Sequence, residues 1–187
     1  MPQDEQIQIE RAQNGDRTAM EALLLSFEKK VYNIAYRYMS NEADAYDMAQ
    51  EALIKIYKNL SSFRGECSFS SWVYRLSVNT CLDGLRKRKK TPVVLDSSAL
   101  EANLPAADES QSPEAHALSL ENHQCLHNAI GALSSDHKSV IILRDINGLS
   151  YEEVADCLGI SIGTVKSRIC RARQRLREIL KSTGCFF

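Results

Sequence analysis

The stretch that most constrains this 187-residue chain lies near its C-terminus, Ser150 to Arg177, reading SYEEVADCLGISIGTVKSRICRARQRLR. Ser150 followed three residues later by Glu153 is a capping box, in which each side chain satisfies the other residue's free backbone N–H and so opens a helix. Val154, Ala155 and Leu158 give that short helix an apolar stripe, and Gly159 stands where a left-handed closing residue is needed. After the tight turn, Ser161 caps a second, longer helix.

At about 100° per residue, Val165, Ile169, Ala172, Leu176 and Ile179 of that second helix share one narrow stripe that must be buried. Gly163, Ser167, Cys170, Arg171 and Gln174 then point outward, flanked by Lys166, Arg168, Arg173, Arg175 and Arg177. Two helices joined by a glycine-containing turn, the second carrying small polar residues and arginines outward, predict a helix-turn-helix whose second helix enters the major groove. Backbone N–H groups at Ile162 to Thr164 and the positive helix end suit a phosphate. A basic amphipathic surface helix is the bland alternative. The capping box, turn glycine and basic second helix occurring in this order favour DNA.

The net charge of −1 hides an asymmetry. Residues 1–90 hold 14 Lys and Arg against 12 Asp and Glu, residues 91–126 hold none against 6, and residues 127–187 hold 9 against 6. Two mildly basic segments thus flank a purely acidic one. The N-terminus, MPQDEQIQIERAQNGD, has no apolar stretch behind basic residues, and no run approaches membrane-spanning length, so a cytoplasmic location is expected without membrane insertion. Cys67, Cys81, Cys125, Cys157, Cys170 and Cys185 form no CxxC pair, and reduced thiols are expected. His123 and His127 share a helix face from which Cys125 points away by about 160°, so no metal site and no cofactor are expected.

Gly15-Asp16 breaks the opening segment, and a helix is predicted from about Thr18 to Met39, buried through Met20, Leu23, Leu24, Phe27, Val31, Ile34, Ala35 and Tyr38. Asn41 or Ser40 caps the next, Glu42 to about Leu60, with Ala45, Ala49, Leu53, Ile56 and Leu60 inward and Asp44, Asp47, Gln50, Glu51, Lys55 and Lys58 outward. Ser61 to Ser70 reads as a loop. A helix from about Ser71 to Lys89 follows, with Trp72, Val73, Leu76, Leu82 and Leu85 inward, ending in the run Arg86-Lys87-Arg88-Lys89-Lys90. Five adjacent cations suit a phosphate backbone. The aromatic loop beside that helix suits unstacked bases of single-stranded DNA, although aromatics at helix ends are commonly core.

Thr91 to about Pro113 holds prolines, serines, alanines and acids and reads as a linker. Ser112-Pro113-Glu114 starts a helix, and Ser134-Ser135-Asp136 caps another ending at Gly148. The predicted fold is all-α: a helical domain over residues 1–90, an acidic flexible linker over 91–112, and a four-helix domain with the helix-turn-helix over 113–187.

The segments YDMAQEALIKIYKNLSSFRGECSFSSWVYRLSVNTCLDGLRKRKK and LSSDHKSVIILRDINGLSYEEVADCLGISIGTVKSRICRARQRLR resemble, independently and in order, the two conserved domains of bacterial sigma factors of the extracytoplasmic function (ECF) sigma-70 family. The resemblance spans roughly Gln6 to Leu180. It implies docking of Asp47, Gln50 and Glu51 on the β′ coiled coil of core RNA polymerase, with a second contact at the β flap. It implies melting of the minus-ten promoter element and capture of a flipped base by Arg64, Ser68, Phe69, Trp72 and Asn79, with Arg86, Lys87 and Arg88 holding the adjacent backbone. It implies reading of the minus-thirty-five element by Lys166, Ser167 and Arg171, with Ser161, Thr164 and Arg168 nearer phosphates. Cys170 departs from the larger aromatic or histidine common there. An anti-sigma partner is commonly associated with such factors, and the acidic linker matches the segment that threads the RNA exit path.

The expected function is therefore a non-enzymatic promoter-specificity factor. The alternative is a free-standing regulator that binds duplex DNA as a dimer, which would not need the aromatic loop and basic helix of the first half. An enzyme is disfavoured by the lack of a P-loop, of paired carboxylates near a histidine, and of metal-ligand spacing.

Overall fold

The computed structural model describes residues 3–39, 41–90 and 113–184. Among these the regular elements are helical: α1 (Gln3–Gln13), α2 (Arg17–Tyr38), α3 (Glu42–Asn59), α4 (Phe69–Lys90), α5 (Pro113–Gly131), α6 (Ser135–Ile141), α7 (Tyr151–Leu158) and α8 (Ile162–Ser182). The all-α expectation with two helical domains holds. The expected linker over 91–112 and the Ser112 cap lie outside the described residues.

In the first domain α2 is central, packed on α1, α3 and α4; in the second, α8 packs on α5, α6 and α7. Local chemistry sets the boundaries. The Asp16 carboxylate accepts from Ala19 N at 3.1 Å to open α2, and Asn41 Oδ1 accepts from Asp44 N at 2.8 Å to open α3. Ser134 caps α6, which widens into a single π turn at Ile142–Ile146. Both halves of the Ser150/Glu153 box form, and Gly159 closes α7 at φ +65.

One element is left open by the sequence and another differs from the expectation. The opening segment is itself a helix, α1, whose Ile9 and Ala12 are buried. Helix α4 starts at Phe69 and buries a different face, with Ser71, Tyr74, Ser77, Val78, Thr80 and Cys81 inside beside Trp72 and Val73, while Leu76, Leu82 and Leu85 are half-buried. The hydroxyls are tolerated there because they bond within their own helix, Ser77 Oγ to Val73 O and Thr80 Oγ1 to Leu76 O, each at 2.8 Å. Cys67, Cys81, Cys157 and Cys170 are free thiols, whereas Cys125 is disulfide-bonded, a departure from the all-reduced expectation.

The two domains touch. Tyr38 Oη and Ser139 Oγ lie 2.7 Å apart in a buried contact, the His127 ring stacks on Tyr36 with centroids 4.3 Å apart, and α7 packs against α4.

Candidate nucleic-acid interface

Helix α8 is fixed by Val165, Ile169 and Ala172, all buried, which turns Gly163, Lys166, Ser167, Cys170, Arg171 and Gln174 to solvent. Ser161 caps the helix through Thr164 N at 3.2 Å, and the two hydroxyls bond each other at 2.8 Å. Ser167 Oγ donates to Thr164 O at 3.0 Å.

The cations of α8 are in different electrostatic states. Arg168 is paired with Asp136 of α6 at 2.9 Å, Arg173 with Asp145 of the π turn at 2.6 Å, and Arg175 with Glu178 at 3.0 Å. Arg171 is held by no ion pair or side-chain hydrogen bond among the described residues. Arg177 is likewise unpaired among them but stands near the far end of the helix, so Arg171 is the unpaired arginine of the outward face, its full donor set available to a base edge. Tyr151, at the start of α7, lies between Arg144, 4.7 Å from its ring centroid, and Lys166, at 5.8 Å. Sequence reading did not single out Tyr151 or Arg144, because the π turn that delivers Arg144 leaves no periodic signal.

In the first domain Ser68 caps α4, its Oγ accepting from Ser71 N at 3.1 Å. Arg64 and Asn79 are exposed. Phe69 and Trp72 are not: they are 1% and 5% exposed and belong to an aromatic core. Phe69 meets Phe27 edge-on at 5.3 Å and Phe63 at 5.2 Å, and stacks on Trp72 at 5.6 Å. Phe69 is sealed in this arrangement, whereas Trp72 also lines a neighbouring cavity. The reading of the aromatics as core describes them, and the loop's open side is a cavity of about 570 Å³ lined by Arg64, Glu66, Cys67, Arg75 and Asp156 among others. At the far end of α4, Arg86 pairs with Asp83 at 3.4 Å, Lys87 is exposed, and Arg88 reaches back to Asp44 at the start of α3. The Arg88 guanidinium holds the Asp44 carboxyl below the usual range.

On α3, Asp47 and Gln50 are exposed and Glu51 is half-buried, paired with Lys55 at 3.0 Å. Sequence reading missed what lies beside them. Tyr46, Ile54 and Tyr57 are more than half exposed, as is Leu25 of α2, and a groove of about 550 Å³ runs between α2 and α3 past Leu25, Tyr32, Tyr46, Gln50 and Ile54. The signal was present, since residues 46, 50, 54 and 57 share one helix face.

Residues 23–91 match the family model for sigma-70 region 2, and residues 123–176 match that for sigma-70 region 4. The chain is 36% identical over 183 residues to the RNA polymerase sigma-H factor of Pseudomonas aeruginosa, covering 96% of this chain and 94% of that one. It is 39% identical over 176 residues to the ECF RNA polymerase sigma-E factor of Escherichia coli K12, covering 92% of each. Among solved structures, the sigma factor RpoE in complex with the anti-sigma factor NepR from Bartonella quintana matches with a TM-score of 0.67 at 29% identity, over 86% of this chain and 96% of that one. CnrH, solved with the cytosolic domain of CnrY, shares the fold at a TM-score of 0.69 and 24% identity over 95% of this chain and 97% of that one.

Proposed function

The chain belongs to the ECF group of the sigma-70 family of RNA polymerase sigma factors, and from that premise we propose how its surfaces divide the work. It is an alternative sigma factor that directs transcription initiation at promoters. A free-standing dimeric regulator would leave the region 2 match over residues 23–91 without a purpose.

Residues 1–90 and 113–187 act as the two promoter-reading domains, joined by the acidic segment 91–112. The exposed face of α3, with Asp47, Gln50 and Glu51 set among Tyr46, Ile54 and Tyr57, docks on the β′ coiled coil of core polymerase. The second domain meets the β flap. A mixed acidic and apolar face fits a protein partner better than it fits DNA, whose phosphates would be repelled.

The second domain reads the minus-thirty-five element as duplex. Arg171 is the base reader, with Ser167 and Lys166 beside it; Arg168 holds a phosphate, and Ser161 and Thr164 set the helix end that faces the backbone. The observation that carries this reading is the contrast on one helix between Arg171, held by no ion pair, and its paired neighbours Arg168, Arg173 and Arg175. The first domain takes the minus-ten element as melted strand at the corner of Arg64, Ser68 and Asn79, with Arg86, Lys87 and Arg88 on the backbone. Phe69 and Trp72 support that corner from the core.

The protein works in the cytoplasm, without catalysis of its own, and is restrained by an anti-sigma factor, as its relative RpoE is found bound to one. Among the described residues no helix is long and apolar enough to cross a membrane. Run-off transcription with purified core polymerase and a promoter panel tests the function. Specific start sites that weaken on Arg171→Ala, with relaxed choice among promoters, and persist unchanged on substitution of the ion-paired Arg175, are expected. Transcription indifferent to the added chain overturns it.

A further inference from the structure

The Glu153 carboxylate does two jobs with its two oxygens. Oε2 accepts from Ser150 N at 2.9 Å and completes the capping box of α7. Oε1 leaves its own domain and accepts from Ser71 Oγ at 2.8 Å and Ser68 Oγ at 3.1 Å. One turn further along α7, Cys157 Sγ donates to Ser71 O at 3.2 Å. Ser68 caps α4, so Glu153 also sits off the positive end of a 22-residue helix. A carboxylate with backbone and hydroxyl donors and a helix end around it is held firmly in its charged form. Its pKa is held below the ordinary range, chiefly by the Ser150 N–H and then by Ser71.

The other end of the domain contact is built differently. Lys138 is 7% exposed and is paired with no carboxylate among the described residues; its ammonium lies 5.9 Å from the Tyr38 ring. Arg37 is half-buried and likewise without an ion pair among them, and the His127 Nδ1 is buried with no hydrogen-bond partner. Sheltered cations and an unsatisfied nitrogen disfavour closure there. One end of the interface is fully satisfied while the other sets the Tyr38–Ser139 hydrogen bond and the Tyr36–His127 stack against buried, unpaired cations, the arrangement expected of an element with two accessible states.

Taking both promoter elements at once requires the open state. About 25 base pairs at roughly 3.4 Å each put the element centres about 85 Å apart along straight duplex. Hydrogen bonds of about 3 Å hold α7, the first helix of the helix-turn-helix, on the start of α4. Helix α8, with 21 residues, is only about 32 Å long. The closed chain cannot span that distance.

We propose that Glu153 is an intramolecular latch, which in the free protein keeps the helix-turn-helix domain over the Ser68–Ser71 corner and shuts that corner to single-stranded DNA until the domains part. This rests on the reading of Ser68 as a strand contact. The latch occupies the hydroxyls and sets a negative charge where a phosphate-bearing strand would approach.

Glu153→Gln is the direct test, because glutamine still serves a capping box while the charge is lost. Ser71→Ala removes the opposing donor and leaves α7 untouched. By small-angle X-ray scattering on the full chain, both variants are expected to be more expanded than the parent. By fluorescence anisotropy, both are expected to bind a nontemplate-strand oligonucleotide, from a promoter found by run-off transcription, on the order of tenfold more tightly, the factor set by loss of charge-assisted hydrogen bonds and a larger open population. Unchanged scattering in both variants overturns the latch, and so does expansion with unchanged strand affinity. The role of Ser68 is read separately, from permanganate reactivity of promoter DNA opened by polymerase carrying Ser68→Ala, so the two ideas can fail independently.

Discussion

The Arg173 guanidinium grips the Asp145 carboxylate through two nitrogens, Nη2 to Oδ1 at 2.6 Å and Nε to Oδ2 at 3.1 Å. This ties α8 to the π turn before α7. The pair is largely exposed, so Asp145→Ala should lower stability in urea by only about 0.5–1 kcal/mol. Duplex binding should weaken while single-strand binding is unchanged; equal losses would mean general unfolding.

Arg171→Ala should cost about 1–3 kcal/mol of promoter affinity and relax preference at one upstream position. Arg168→Ala should instead weaken all promoter variants alike and reduce the salt slope by about one. Band-shift titrations across single-base variants and salt concentrations distinguish the two, and uniform weakening by Arg171→Ala would reassign it to a phosphate.

Reversing the charges of Asp47 and Glu51 should abolish co-purification with core polymerase while circular dichroism stays unchanged. Ile54→Ser alone should weaken it measurably, because an exposed apolar side chain on that face has no role in the domain's own core. Intact co-purification by both variants would place the docking surface elsewhere.

Phe69→Ala should destabilise the first domain by about 3–5 kcal/mol, as expected for a buried aromatic. A side chain whose only work was stacking on a base would leave the denaturation midpoint where it is.

The His127 ring, stacked on Tyr36 and near Arg37 of α2 and Lys138 of α6, has its pKa lowered by burial first and then by those cations. Closure therefore favours the neutral ring. The stability of the closed form is fully present above the ordinary histidine value of about 6.5 and is lost as pH falls through the lowered value. Scattering should report expansion of the free chain on acidification, and His127→Phe should flatten that response.

The helix-turn-helix was legible because its signals are local. Ser150, Glu153, Gly159 and Ser161 each act within four residues of where they stand, and the structure has them capping and turning as the sequence implies. Helix α4 was misread for the opposite reason. Ser77 and Thr80 hide their polarity by bonding the preceding turn, so a face containing hydroxyls is buried while Leu82 and Leu85 sit at the rim. Phe69 was legible as an aromatic for which the core is the commoner place, but its partners were not, since Phe27 and Phe63 reach it from elsewhere in the chain. The second task of Glu153 depends on serines 82 and 85 positions away, and no spacing rule reaches that far.

Leu25, Tyr46, Ile54 and Tyr57 remain 61%, 55%, 51% and 57% exposed. Hydrocarbon left wet in this way favours clumping and invites quality-control proteases. Copies synthesised beyond the supply of a large assembly able to shelter that strip should precipitate or be degraded. The cell's holding of this factor is then capped by a surface rather than by its rate of synthesis.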